Sequence, residues 1–116
     1  MESEDTTIAI SGYDIFNMRQ SSFRKAATEE HEDIFEEGRV TSKNEHPDYI
    51  FSSTNGSAWN KLFRRSFILD KELRFLPDVK MYEDVYFVVT ALSLAERIEK
   101  IPAVLMHHRV HGRGYL

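Results

Sequence analysis

The chain has 116 residues, of which 41% are hydrophobic and 29% charged, with a net charge of −4 and a pI near 5.7. That length fits one domain with a core of its own, and the acidic balance argues against a nucleic-acid binder, which carries a basic face. With no cysteine, disulfides and thiolate metal sites are excluded, as fits a reducing compartment. No apolar run reaches the about 18–20 residues of a membrane span, and the acidic, polar start Met1–Thr7 is not a signal peptide. The expectation is a soluble, cytoplasmic domain.

In chain order, Thr6–Phe16 is rich in β-branched and aromatic residues and predicts a strand, with a bulge or bend at Ser11-Gly12. Asn17–Lys43 is polar, carries both signs of charge and fits neither period. It reads as a loop-rich excursion over 17–45, either solvated with a short strand around Ile34–Val40 or partly disordered. Pro47 opens a short helix through about Ser53, with Asn44 or Glu45 as a cap. Asn55-Gly56 signals a turn, Ala58–Arg64 a short strand or extended segment, and Ser66–Leu73 one or two helical turns that bury Phe67, Ile68 and Leu69.

Leu76-Pro77-Asp78 breaks the chain before the main helix, expected over Tyr82–Arg97. Val85, Val88, Val89, Leu92 and Ala95 form one apolar stripe at helical spacing, and Phe87, Ala91, Leu94 and Ile98 a second on another side. A helix apolar on most of its surface is expected to lie buried between layers. Ile98–Ile101 and Ala103–His111 then predict strands, with Pro102 tolerable only at an edge or a strand start. The fold class is α/β, or α+β, with a mixed sheet packed on this one long helix.

Two segments carry chemistry. Glu83-Asp84 opens the main helix, and a charged group near a core must be solvated, paired or used. Upstream lies Asn55–Arg65, dense in polar and aromatic residues. Acidic residues favour the first turn of any helix, so the pair alone reads chiefly as a cap or dipole partner. Near the end, His107-His108-x-x-His111 has the look of a metal cluster, but strand geometry places His107 and His111 on one face about 13 Å apart and His108 on the other. His107, Arg109 and His111 instead form a cationic strip, or the charges of an edge strand that discourage pairing.

Trp59–Phe67, Arg74-Phe75, Tyr82–Val85 and His107–His111, in this order and spacing, resemble the carboxy-terminal half of bacterial family 2 glycosyltransferases, inverting enzymes of the GT-A fold that build cell-surface polysaccharides. The resemblance spans Thr6–Gly112, is strongest over 55–111, and is thin from Asn17 to Phe51. It implies transfer of a hexose from a nucleotide-diphosphate sugar to a saccharide or lipid-linked acceptor, in the cytoplasm or peripheral to the inner face of the membrane. It implies that Asp84 is the catalytic base, which takes the acceptor hydroxyl proton as the new bond forms. The helix dipole favours an ionised carboxylate at this first-turn position. Glu83 projects about 100° away around the helix and would pair with a base or reach an acceptor hydroxyl. Trp59 would stack on a sugar face or lie in the core. Lys61, Arg64 and Arg65 would meet diphosphate or acceptor charge, or be solvated, and Arg109 or His111 would assist the leaving group.

The family also uses an amino-terminal βαβ half and an Asp-x-Asp motif for a divalent cation, Mg or Mn. No Asp-x-Asp occurs in these 116 residues, and a diphosphate leaving without a cation carries uncompensated charge. The expectation is therefore a partial GT-A fold, an acceptor-and-base half that is inactive alone and self-associates through its apolar helix face and sheet edge. A non-catalytic oligomerising module, with Glu83 and Asp84 as helix caps, is the alternative.

Overall fold

A computed structural model of the chain describes residues 6–26, 40–78 and 81–110. A mixed five-stranded sheet carries two helices, as expected of an α/β or α+β fold. Strand β1 (Ile8–Asn17) is its centre, and Ile8, Ala9, Ile10 and Ser11 are consecutively buried, so both faces are covered there. The long β5 (Ile98–Val110) runs parallel along one side of β1. The other side is shared end to end by β2 (Ser22–Lys25), which pairs with Asp14–Asn17, and β4 (Lys61–Phe63), which pairs with Ile8–Ile10, both antiparallel. The short β3 (Val40–Thr41) lies against Glu99 and Ile98 on the far side of β5.

The expected irregularity at Ser11-Gly12 is present. Ser11 pairs with Ile101, Gly12 with Val104 and Tyr13 with Met106, so β5 bulges at Pro102-Ala103 and again at Leu105. A side chain at position 12 would crowd the Ala103 carbonyl oxygen, at 3.2 Å from its Cβ, so glycine lets the bulge close on β1. The two segments predicted around Pro102 are thus one strand. Pro102 is accommodated in the bulge, where no ladder bond is asked of its missing N–H.

Helix α1 (Arg65–Asp70) follows β4 after one residue, and helix α2 (Glu83–Leu94) packs on the sheet. Phe87, Val88, Ala91 and Leu92 of α2 join Ile8, Ile10, Ile50, Phe67, Leu73 and Ile98 in one core. Phe87 is its keystone, edge-on to Phe63 at 5.2 Å and stacked on Phe75 at 4.3 Å. Burying such a ring contributes about 1.5–3 kcal/mol.

Several expectations are corrected. Helix α2 ends at Leu94, because Ala95 turns to an extended conformation (ψ 134°) that leads Glu96-Arg97 into β5. It is buried on one face only: Val85, Val89 and Leu94 are exposed, so its two apolar stripes reduce to one that meets the core. In α1, Phe67 is buried but Leu69 is 58% exposed, because a six-residue helix lying on the core turns only one side inward. After Pro47 there is a turn and a short 3-10 helix at Ile50–Ser52. Glu45 does not cap it: its carboxylate accepts from the Thr41 hydroxyl at 3.0 Å. Within the 17–45 excursion, β2 and β3 are described; the expected strand from Ile34 is described only at its Val40 end, as the rest lies outside the described residues, as do His111 and the tail after it.

Candidate functional site

The loop Asn55–Asn60 leads into β4 and rests on the first turn of α2. Two approaches hold it there. The Ala58 N–H donates to Asp84 Oδ2 at 3.1 Å. Gly56 lies so close to the helix that a Cβ would stand 3.0 Å from Val85 Cγ2. The loop is tightened by its own Asx turn, in which Asn55 Oδ1 accepts from the Ser57 N–H at 3.1 Å.

Lys61 closes the loop from within. Its side chain is buried, 7% exposed, and its ammonium donates to Asn55 O (3.0 Å), Asn55 Oδ1 (3.0 Å), Ser57 O (2.5 Å) and Asn60 Oδ1 (2.9 Å). Three N–H donors facing four oxygens share at least one proton. This ammonium faces the loop's own oxygens, which is neither the solvated surface nor the ligand-facing position that the sequence suggested. Asn60 ties the cage to the sheet: its carbonyl accepts from the Ser11 N–H at 2.8 Å, and its amide donates to Ser11 O at 3.2 Å.

One peptide group joins Lys61 to Asp84. The carbonyl oxygen that Lys61 holds and the N–H that Asp84 accepts both belong to the Ser57–Ala58 peptide. Among the described residues Asp84 makes no other side-chain hydrogen bond, so Oδ1 is unengaged. Asp84 does not cap its own helix, since the bond it accepts comes from a residue 26 positions away, and Tyr82 at the N-cap makes no side-chain cap bond. Glu83, half-buried like Asp84, has no hydrogen bond or ion pair among the described residues.

The backbone at this mouth is unusual. Tyr82, which precedes Glu83, is left-handed (φ 61°) with a side chain 74% exposed. A bulky residue in that region costs on the order of 1–2 kcal/mol. Met81 and Tyr82 thus stand out beside the acidic pair.

Trp59 is half-buried, stacked on His108 (centroids 5.0 Å apart, planes 2° apart) and edge-on to Tyr13 at 4.8 Å. Its partners come from β1 and β5, whereas the neighbouring Leu62 is exposed. Alternation along the strands sends Asp14, Phe16, His107 and Arg109 to the opposite face from Tyr13 and His108. There His107 Nδ1 pairs with Asp14 Oδ1, and Phe16, Phe23, His107 and Arg109 line a shallow groove. The structure therefore brings Asp84, Trp59 and Lys61 to one loop, and places Arg109 across the sheet from Trp59. Sequence reasoning missed Asn60, Tyr13 and His108 in this cluster; the one available signal was the run of polar residues around Trp59.

Among the described residues no three His, Asp or Glu side chains converge on a point that would hold a metal ion. None of their helices is long and apolar enough to cross a membrane. No protein family, curated protein or solved structure matches the chain.

Proposed function

We propose that this chain is the acceptor-and-base portion of an inverting glycosyltransferase, one that moves a hexose from a nucleotide-diphosphate sugar to a saccharide or lipid-linked acceptor in cell-surface polysaccharide synthesis. The observation that carries the reading is the carboxylate of Asp84. It is half-buried at the first turn of α2, and it is held by Ala58 on one oxygen while the other has no partner among the described residues.

In the transfer, the acceptor O–H bond breaks and its proton passes to Asp84. The oxygen's electron pair forms the new bond to the anomeric carbon, and the nucleotide diphosphate leaves with the electrons of the old one. Glu83 reaches an acceptor hydroxyl in this scheme, and Trp59 offers the sugar what ring surface His108 and Tyr13 leave open. A divalent cation, Mg or Mn, belongs to the complete enzyme in this scheme. The place of action is the cytoplasm or the inner face of the membrane.

The test has two arms. Titrating the isotope-labelled chain with methyl hexopyranosides is expected to move the amide signals of Gly56–Asn60 and Asp84, and no movement there counts against acceptor binding. Joined to a donor-binding half, the chain is expected to transfer sugar and the Asp84→Asn variant to be inactive; full activity of that variant would overturn the reading.

A second reading is a non-catalytic oligomerising module. It is favoured by the same Ala58–Asp84 bond, which ties a loop to a helix and so gives the carboxylate a purely structural task. Equal turnover with Asp and Asn at position 84 would support it.

A further inference from the structure

We propose that Lys61 is a positioning residue for Asp84, acting through the Ser57–Ala58 peptide group, and that it makes Oδ1 the oxygen that receives the acceptor proton. The inference rests on the reading of Asp84 as the base.

A peptide group is a dipole whose oxygen is its negative end and whose N–H is its positive end. Here the oxygen meets an ammonium at 2.5 Å and the N–H meets a carboxylate at 3.1 Å. Both bonds are charge-assisted, and each polarises the group in the sense that strengthens the other. Lys61 and Asp84 thus act on one another through this peptide group.

Burial adds to this. The ammonium sits where water is largely excluded and local fields are strong. Its other acceptors, on Asn55 and Asn60, fix the two ends of the loop, and Asn60 is bonded in turn to Ser11 of the central strand. The peptide plane, and with it the direction of the Ala58 N–H, is referred to the sheet. With Oδ2 committed to that N–H, the carboxylate cannot spin, and Oδ1 points one way. A lysine that merely filled space would need its methylenes and not its charge. The relay needs the charge.

The experiment reads the relay directly by NMR. In the unmutated chain, couplings across the hydrogen bonds are expected between the Lys61 ammonium nitrogen and the Ser57 carbonyl carbon, and between the Ala58 amide nitrogen and the Asp84 carboxyl carbon. Lys61→Met keeps the bulk and removes the charge. It is expected to weaken the Ala58–Asp84 coupling and to move the Ala58 amide proton upfield, in the direction produced by Asp84→Asn. In the double variant the two displacements should fall short of their sum. Lys61→Arg, which keeps the charge, should restore most of the coupling.

An Ala58 amide that Lys61→Met leaves in place while Asp84→Asn moves it would overturn the proposal. If Lys61→Met does not fold, the couplings of the unmutated chain decide, and absence of either overturns it. Failure of sugar transfer in the joined enzyme would remove the base reading and leave these couplings intact, so the two failures are distinguishable.

Discussion

Gly56 and Val85 are in close contact: a Cβ on residue 56 would stand 3.0 Å from the Val85 Cγ2 methyl, which would have to give by a few tenths of an ångström. The contact sets the height of the Asn55–Asn60 loop above α2, and so the reach of the Ala58 N–H to Asp84. Gly56→Ala is expected to lift the loop and cost about 1–3 kcal/mol. Val85→Ala, which removes the offending methyl, should return most of that loss. Urea unfolding of the two single variants and the double variant measures the coupling, and simple additivity would contradict this account.

For Asp84, the two candidate roles separate by stability. Asp84→Asn keeps an oxygen that accepts from the Ala58 N–H, so its cost should stay within about 0.3–1 kcal/mol, the range of a lost charge near a helix N-terminus. Asp84→Ala leaves that N–H without its partner and should cost about 1–3 kcal/mol. Equal losses in the two variants, read by denaturant midpoints, would show that the hydrogen bond contributes little.

Trp59 is the sole tryptophan, so its emission reports on its own neighbourhood. His108→Ala uncovers the stacked face and is expected to shift the emission to the red, with a loss of about 0.5–1.5 kcal/mol beyond the buried area. Tyr13→Leu, which removes the edge contact, should give a smaller shift. Unchanged emission in both variants would mean that the cluster does not form.

Large apolar side chains stand exposed on α2 and β5, among them Val85, Val89, Leu94, Val104 and Leu105. The chain is therefore expected to self-associate as its concentration rises, and Leu105→Lys to weaken that association. Sedimentation equilibrium is the measurement. A single monomeric species for the unmutated chain at high concentration would refute the expectation.

What the sequence revealed of the fold follows from how local each signal is. The run of β-branched residues in β1, the glycine that faces the β5 bulge and the carboxylates at the start of α2 are written into adjacent residues, and each lies where its residue types placed it. Burial was less legible. Val85, Val89 and Leu94 look like core because apolarity says what a side chain tolerates, while what covers it is set by residues far along the chain.

The candidate site divides the same way. The Glu83-Asp84 pair was legible at the mouth of its helix and the choice of Asp84 came from the resemblance, but the partner that fixes it comes from 26 residues upstream. Lys61 was misplaced for a related reason. A lysine is nearly always solvated, and only a loop that folds back four oxygens on its ammonium makes burial tolerable.

The bulges of β5 have a consequence for the chain's histidines. Ile98 pairs with Ile8, an offset of 90 positions, and His107 with Asp14, an offset of 93. Three is odd, and sides alternate by twos, so the slip decides which of two adjacent imidazoles lies with Asp14 and which with Trp59. The three residues of β5 left unpaired in that stretch, Pro102, Ala103 and Leu105, therefore act as a parity setting: were an even number of them unpaired, His108 would share the face of Asp14 and His107 that of Trp59.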